Sequence, residues 1–136
     1  MTDADVASDL ARRVPALAAE WSSSAKDLDL PYVALGHLAR LVVVVSETTG
    51  ASKLRPVFDE IEVRLATGDA ATRNLLIVGF LEGLQNIEGD RAGRWERLLG
   101  KATKAAWTNL NALWTGRMTP ADFNRFVDGS GDIPAR

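Results

Sequence analysis

Between Leu75 and Leu84 the chain carries one strongly polar side chain, Glu82, while Leu75, Leu76, Ile77, Val78, Phe80, Leu81 and Leu84 place apolar groups on every side of a helical wheel. A helix that is apolar all round has to be enclosed by other elements. Residues 73–86 are therefore expected to form the central helix of a small all-α domain. Gly79 and Gly83 stand four apart in it, on one face. Each costs about 1 kcal/mol relative to Ala in a helix interior, and a close helix–helix approach would offset that cost.

Upstream, residues 3–13 read as a helix with Asp3 and Asp5 in its first turn, where the helix dipole favours acidic groups. Pro15 suits the first turn of a second helix, whose stripe is Val14, Leu17 and Trp21. Lys26 to Leu30 is expected to be a connection, with Asp29 as the cap of a helix over residues 31–48. Leu35, Leu38, Val42 and Val45 share a face of that helix. The β-branched run Val42–Val45 would suit a strand by propensity, but the helical spacing runs upstream through Leu35 without a turn signal. A helix capped at Ser52 follows, with Phe58, Ile61 and Leu65 buried. Gly68 is expected at a left-handed C′ position and Asp69 as the next N-cap.

Beyond the central helix, Asp90 is a candidate cap for a helix over 91–99 with Trp95, Leu98, Leu99 and Ala102 inward. A helix over 103–115 should bury Ala106, Trp107, Leu110, Leu113 and Trp114, with Gly116 closing it. Thr119-Pro120-Ala121-Asp122 combines a cap, Pro at the first helical position and an acid in the first turn. The fold class expected is thus an all-α helical bundle of seven or eight helices, one domain over residues 1–128 and a flexible tail over 129–136. Residues 31–86 have the character of an α-solenoid (HEAT-like) segment, without a repeat of fixed period.

Composition narrows the function. Apolar residues make up 46% and charged residues 25% of 136, as in ordinary globular domains. The net charge of −2 gives no bulk attraction to nucleic acid or anionic lipid. Its distribution is uneven: residues 1–90 are net −6 and residues 91–136 net +4, a dipolar arrangement able to steer a charged partner. There is no cysteine, which removes disulfides, thiol nucleophiles and most structural zinc sites and suits a cytoplasmic setting. The acidic N-terminus lacks an apolar h-region, so no signal peptide is expected, and no apolar run approaches the ~20 residues of a membrane span.

No catalytic set emerges. His37 is the single histidine; Ser46 is nine residues away on the same predicted helix, and no nucleophile motif surrounds it. Glu82 is the best-placed carboxylate for chemistry; read structurally it is either an ion pair, for which Arg40, Arg55 or Arg73 could supply the charge, or a partly exposed glutamate. Arg94, Arg97, Lys101 and Lys104 form a basic stripe at helical spacing that could meet phosphates, but no nucleic-acid-binding signature accompanies it. The four tryptophans all fit apolar stripes; an exposed one would point to an interface, where Trp is enriched.

The segment from Leu54 to Leu99, LRPVFDEIEVRLATGDAATRNLLIVGFLEGLQNIEG followed by RWERLLG, resembles an uncharacterised family of small helical bacterial proteins. The shared features are a Gly-Asp turn, a helix ending Phe-Leu-Glu-x-Leu and a later Leu-Leu-Gly; Val-Pro-Ala-Leu with Trp21 is similar to that family's opening. Members occur beside toxin–immunity genes, so the resemblance implies an immunity-like role; it transfers no binding residue. The expectation is a non-enzymatic immunity protein that occludes the active site of a cognate toxin, without cofactor or metal. Asp59, Glu60, Glu62, Glu88 and Asp90 are the candidate contacts, because an acidic patch complements a basic toxin site. The alternatives are a helical adaptor or homodimeric scaffold, and a nucleic-acid binder using the basic stripe.

Overall fold

Residues 70–88 run as one uninterrupted helix in the computed structural model, which describes residues 3–24 and 29–128. Its first turn is α-helical over Ala70–Asn74, it widens to a π-helix over Leu75–Leu81, and it returns to α over Glu82–Glu88. Leu75, Leu76, Ile77, Phe80, Leu81 and Leu84 are buried, and Val78 is half-buried. The enclosed helix expected from its all-round apolar wheel is what the chain builds. We number the helices α1 (Asp3–Ala11), α2 (Pro15–Ser24), α3 (Pro31–Thr49), α4 (Arg55–Thr67), α5 (70–88), α6 (Lys101–Trp114) and α7 (Pro120–Asp128). Short 3₁₀ segments, Ala51–Leu54 and Gly89–Leu98, precede α4 and follow α5. The seven helices contain no strand partner among the described residues, and the protein is an all-α helical bundle.

The main support of α5 is α3, whose Leu35, Leu38, Ala39, Val42 and Val45 are buried. Gly79 sets the closeness of this crossing. A Cβ on Gly79 would lie 3.2 Å from both Cβ and Cδ1 of Leu35, and one on Gly83 would lie 3.7 Å from the Cβ of Ala39. The close approach inferred from the glycine spacing is present at Gly79, whereas at Gly83 an added Cβ would make an ordinary contact. α1 lies on α3, α4 on α6, and α7 closes the opposite end against α5 and α6. One core joins them, from Val6 and Leu10 through Phe58, Phe80, Trp95 and Trp107 to Phe123 and Val127.

Turn chemistry follows the sequence in several places. Asp69 accepts the N–H of Thr72 at 2.9 Å and caps α5, Thr119 accepts the N–H of Asp122 at 3.1 Å, and Gly116 takes a φ of 77° after α6. Elsewhere the structure corrects the reading. Leu30, not Asp29, occupies the N-cap of α3, and no side chain caps it. Gly68 is extended (φ −80°) rather than left-handed; a side chain is barred there because its Cβ would meet the Arg64 carbonyl oxygen at 2.4 Å. Asp90 caps nothing, since 89–98 coils as a 3₁₀-helix begun at Gly89, whose φ is 55°. Trp114 is 57% exposed instead of buried, in the last turn of α6. The expected connection at Lys26 and the tail over 129–136 lie outside the described residues.

Candidate functional site

The five acidic candidates do not form one patch. Glu60 accepts from Arg64 Nε at 2.9 Å and lies 3.5 Å from Arg13. Those arginines also hold Asp9, whose carboxylate is 3.1 Å from Arg13, 3.2 Å from Arg12 and in direct contact with Arg64. Burial pushes the Asp9 carboxyl up, but the three guanidinium groups outweigh it and hold its pKa below the usual aspartate value. The cluster ties α1 to α4. Glu62 crosses to the start of α6, where it accepts the N–H groups of Ala102 and Thr103 at 3.0 and 2.8 Å and the Thr103 hydroxyl at 2.8 Å. Burial raises the Glu62 pKa, the Thr103 and Ala102 donors lower it, and the net shift is downward. It serves as a capping carboxylate supplied from another helix.

Glu88 is buried, 7% exposed. It accepts the indole N–H of Trp95 at 2.7 Å and the Nε of Arg94 at 2.9 Å. Arg94 also donates to the Ser46 hydroxyl at 3.1 Å and lies over the Trp95 ring, 4.8 Å from its centroid. This set fastens the 3₁₀ segment to α3 and α5. Glu60, Glu62 and Glu88 are thus engaged with partners inside the fold. Asp59 and Asp90 are exposed and form no ion pair among the described residues.

The basic stripe is dispersed as well. Arg94 is folded back on Glu88, the Arg97 carbonyl accepts from Arg55 at 3.5 Å, and the chain changes direction at Leu99 and Gly100 before Lys101 and Lys104 begin α6. The α-helical register that would align the four is interrupted.

Neither catalytic candidate acquires partners suited to chemistry. Ser46 donates to the Val43 carbonyl at 2.6 Å and receives Arg94, so it is committed away from His37. His37 Nε2 instead meets Ser24 Oγ at 2.9 Å, and that hydroxyl is 2.7 Å from the Glu20 carbonyl. A hydroxyl has one proton. With that proton directed at the carbonyl, the imidazole donates to Oγ, the reverse of a general base drawing a proton from a nucleophile. The ring also rests against Trp21, with centroids 5.8 Å apart. Burial and the nearby Arg40 charge lower the His37 pKa.

Glu82 is half-buried, has no hydrogen-bond or ion partner among the described residues, and its pKa is raised by burial. None of the three arginines that could supply the charge pairs with it among the described residues. Arg73 donates to the carbonyls of Leu65 (2.8 Å), Phe126 (3.0 Å) and Val127 (2.8 Å), satisfying the ends of α4 and α7. Among the described residues no group of three His, Asp or Glu side chains is placed to hold a metal ion.

What the structure does assemble is a surface that the stripes alone did not reveal. Val33, His37, Arg40 and Val44 recur along the outer side of α3. Val33 is 52% exposed and Val44 50%. Leu30 and Tyr32 continue this apolar exposure to the start of α3, and Ile87 adds to it from the end of α5. Between the two helices lies a cleft of about 400 Å³ lined by Val33, Gly36, His37, Arg40, Gly83, Asn86 and Ile87. Gly36 forms part of its floor; a Cβ there would have no neighbour within 4 Å. Packing therefore does not compensate the ~1 kcal/mol that a glycine in the interior of α3 gives up relative to Ala. The signal in the sequence was present but mixed: Val33 and Val44 flank a stripe whose middle positions are polar.

The fold defines a single-core helical bundle with an apolar, cation-bearing face. The chain belongs to the family described as "Domain of unknown function (DUF7674)", whose model matches residues 7–115. No curated protein and no solved structure matches the chain. Among the described residues, no helix is long and apolar enough to cross a membrane.

Proposed function

We propose that this protein is a non-enzymatic binding module of the immunity type, which neutralises a cognate protein toxin by covering its active site. The observation that carries the binding reading is the exposed apolar face of α3 and α5: Leu30, Tyr32, Val33, Val44 and Ile87, backed by a rigid core. Exposed aliphatic side chains sharing a helix face with a few polar groups are a feature of protein-contact surfaces. The toxin as partner rests on the family resemblance of the Leu54–Leu99 segment.

The contact surface differs from the acidic patch read from the sequence. Three of those five carboxylates hold the fold together, leaving Asp59 and Asp90 as outlying acidic contacts. The central contribution comes from the aliphatic groups and Arg40, so the complementary partner surface is apolar with an acidic element.

Co-expression with the product of the adjacent gene tests the proposal. The expected result is a co-purifying complex and rescue of growth, with Val44→Asp and Ile87→Asp each weakening the complex at least about tenfold, the loss that follows from ~1.4 kcal/mol, while leaving the helical signal intact. Absence of both complex and rescue rejects the immunity role. A second copy of the chain could use the same face as a homodimeric scaffold; light scattering after size exclusion distinguishes it, a dimer that Val44→Asp dissolves favouring the scaffold.

A further inference from the structure

We propose that the cleft between α3 and α5 is a binding site for a small organic carboxylate with a compact apolar body. Its shape comes from glycines. Gly79 brings the two helices together, as its contact with Leu35 shows, and Gly36 leaves the floor open where any side chain would project into the space. Gly79 is explained by packing, while a Cβ on Gly83 would make ordinary contacts with Ala39 and Gly36. Gly36 is not explained by packing: nothing meets the position its Cβ would take, and a helix of 19 residues is weakened by it. It leaves room in the cleft beside Gly83, whose own Cβ would lie 3.9 Å from the Gly36 Cα.

The chemistry of the walls selects the ligand. Val33 and Ile87 offer apolar sides, Asn86 a side-chain amide, and Arg40 the only charged group among the lining residues. No carboxylate lines the cleft, and Arg40 has no ion pair among the described residues. The cleft is thus locally positive within a stretch, residues 1–90, of net −6. A guanidinium is suited to bidentate contact with a carboxylate. His37 is held from behind by Trp21 and Ser24, so its ring is already positioned as a wall. The cleft, about 400 Å³ and open on its outer side, combines apolar walls with a few placed polar groups, as small-molecule sites do.

This site goes beyond the protein-binding proposal, and its test uses the chain alone. The probe is phenylacetate, titrated against isotopically labelled protein and followed by amide chemical shifts, with phenylacetamide and phenethylamine as the neutral and cationic counterparts. The expected result is saturable shifts confined to the amides of Val33, Gly36, His37, Arg40, Gly83, Asn86 and Ile87 with phenylacetate, and binding at least about tenfold weaker with either counterpart. Arg40→Gln should weaken phenylacetate to the level of the amide, and Gly36→Leu should abolish the shifts by filling the floor. Scattered or absent shifts, equal binding of the amine, or undiminished binding by Arg40→Gln would overturn the proposal. Arg40→Gln alters an exposed residue and so keeps the test decisive should Gly36→Leu misfold. A failed titration leaves the protein complex untouched, and a failed co-expression leaves the titration untouched.

Discussion

Glu62 of α4 accepts hydrogen bonds from both the backbone N–H and the hydroxyl of Thr103, each at 2.8 Å, across 41 residues of sequence. With the Ala102 N–H it gives the start of α6 an anion where the unpaired donors and the helix dipole call for one. Glu62→Gln should lower stability by about 1–3 kcal/mol at pH 7, the range of hydrogen bonds to charged groups. The folded-state pKa is depressed, so this contribution is complete above the ordinary glutamate value of 4.5 and is lost as pH falls through the lower folded value. The gap in urea midpoint between wild type and Glu62→Gln should therefore close on acidification below pH 4.5. A gap that stays constant with pH would deny the carboxylate this role.

The Glu88–Trp95–Arg94 group predicts an unequal pair of variants. Glu88→Ala leaves a buried indole N–H and a guanidinium without their acceptor and should cost about 3 kcal/mol. Trp95→Phe retains a ring in the core but loses the N–H and part of the volume, and should cost less when Glu88 is also replaced than in the wild-type background. A double-mutant cycle by chemical denaturation measures that coupling.

Two glycines in the α3–α5 crossing should respond with opposite signs. Gly79→Ala places a methyl 3.2 Å from the Leu35 Cβ, an atom close to the backbone that cannot swing away, and should destabilise by about 1–3 kcal/mol through overpacking. Gly36→Ala meets no neighbour and should stabilise by up to about 1 kcal/mol. Thermal unfolding of the two variants side by side checks the pair.

Glu82 bears a carboxyl whose pKa is raised by burial. The folded state then holds its proton more tightly than the unfolded chain does, so stability falls as pH rises from the unfolded value through the folded one. Glu82→Gln should melt higher than wild type at pH 7, with the advantage vanishing at pH 4. A lower melting temperature at pH 7 would mean that the carboxylate is stabilised by a partner.

Trp114, at 57% exposure, should supply most of the acrylamide-accessible fluorescence, because Trp95 and Trp107 are buried and Trp21 is half-buried. Trp114→Phe should remove that fraction while shifting stability by less than about 0.5 kcal/mol, as exposed substitutions do. Unchanged quenching would place the indole inside.

The sequence was readable where a signal and its partner are neighbours. Asp69 and Thr119 stand three residues from the N–H groups they accept, and the all-round apolar wheel of 75–84 needed no partner to be named. Residues 89–98 were harder, because Gly89 and Gly93 weaken α-helix while Trp95 and Leu98 still bury; the outcome was 3₁₀. Trp114 follows Trp107 by seven residues and so shares its side of the wheel, but periodicity does not tell where covering elements end. The roles of Glu62 and Arg73 depend on groups 41 and 54 residues away, beyond any local pattern. The α3–α5 cleft was missed for the same reason: its walls come from two helices, and its defining residue, Gly36, has no side chain to mark it.

The π-helical stretch Leu75–Leu81 has one more consequence. The Glu82 N–H reaches back five residues to the Ile77 carbonyl, so the winding slips in phase partway along an otherwise regular rod. That slip lets a continuous helix turn small residues toward α3 and then swing Gln85 toward the Trp107 carbonyl and Glu88 toward Trp95. Deleting a single residue there would give the rod ordinary winding, and in doing so would unhitch the 3₁₀ segment it now anchors: local regularity and global attachment are set against each other along seven residues.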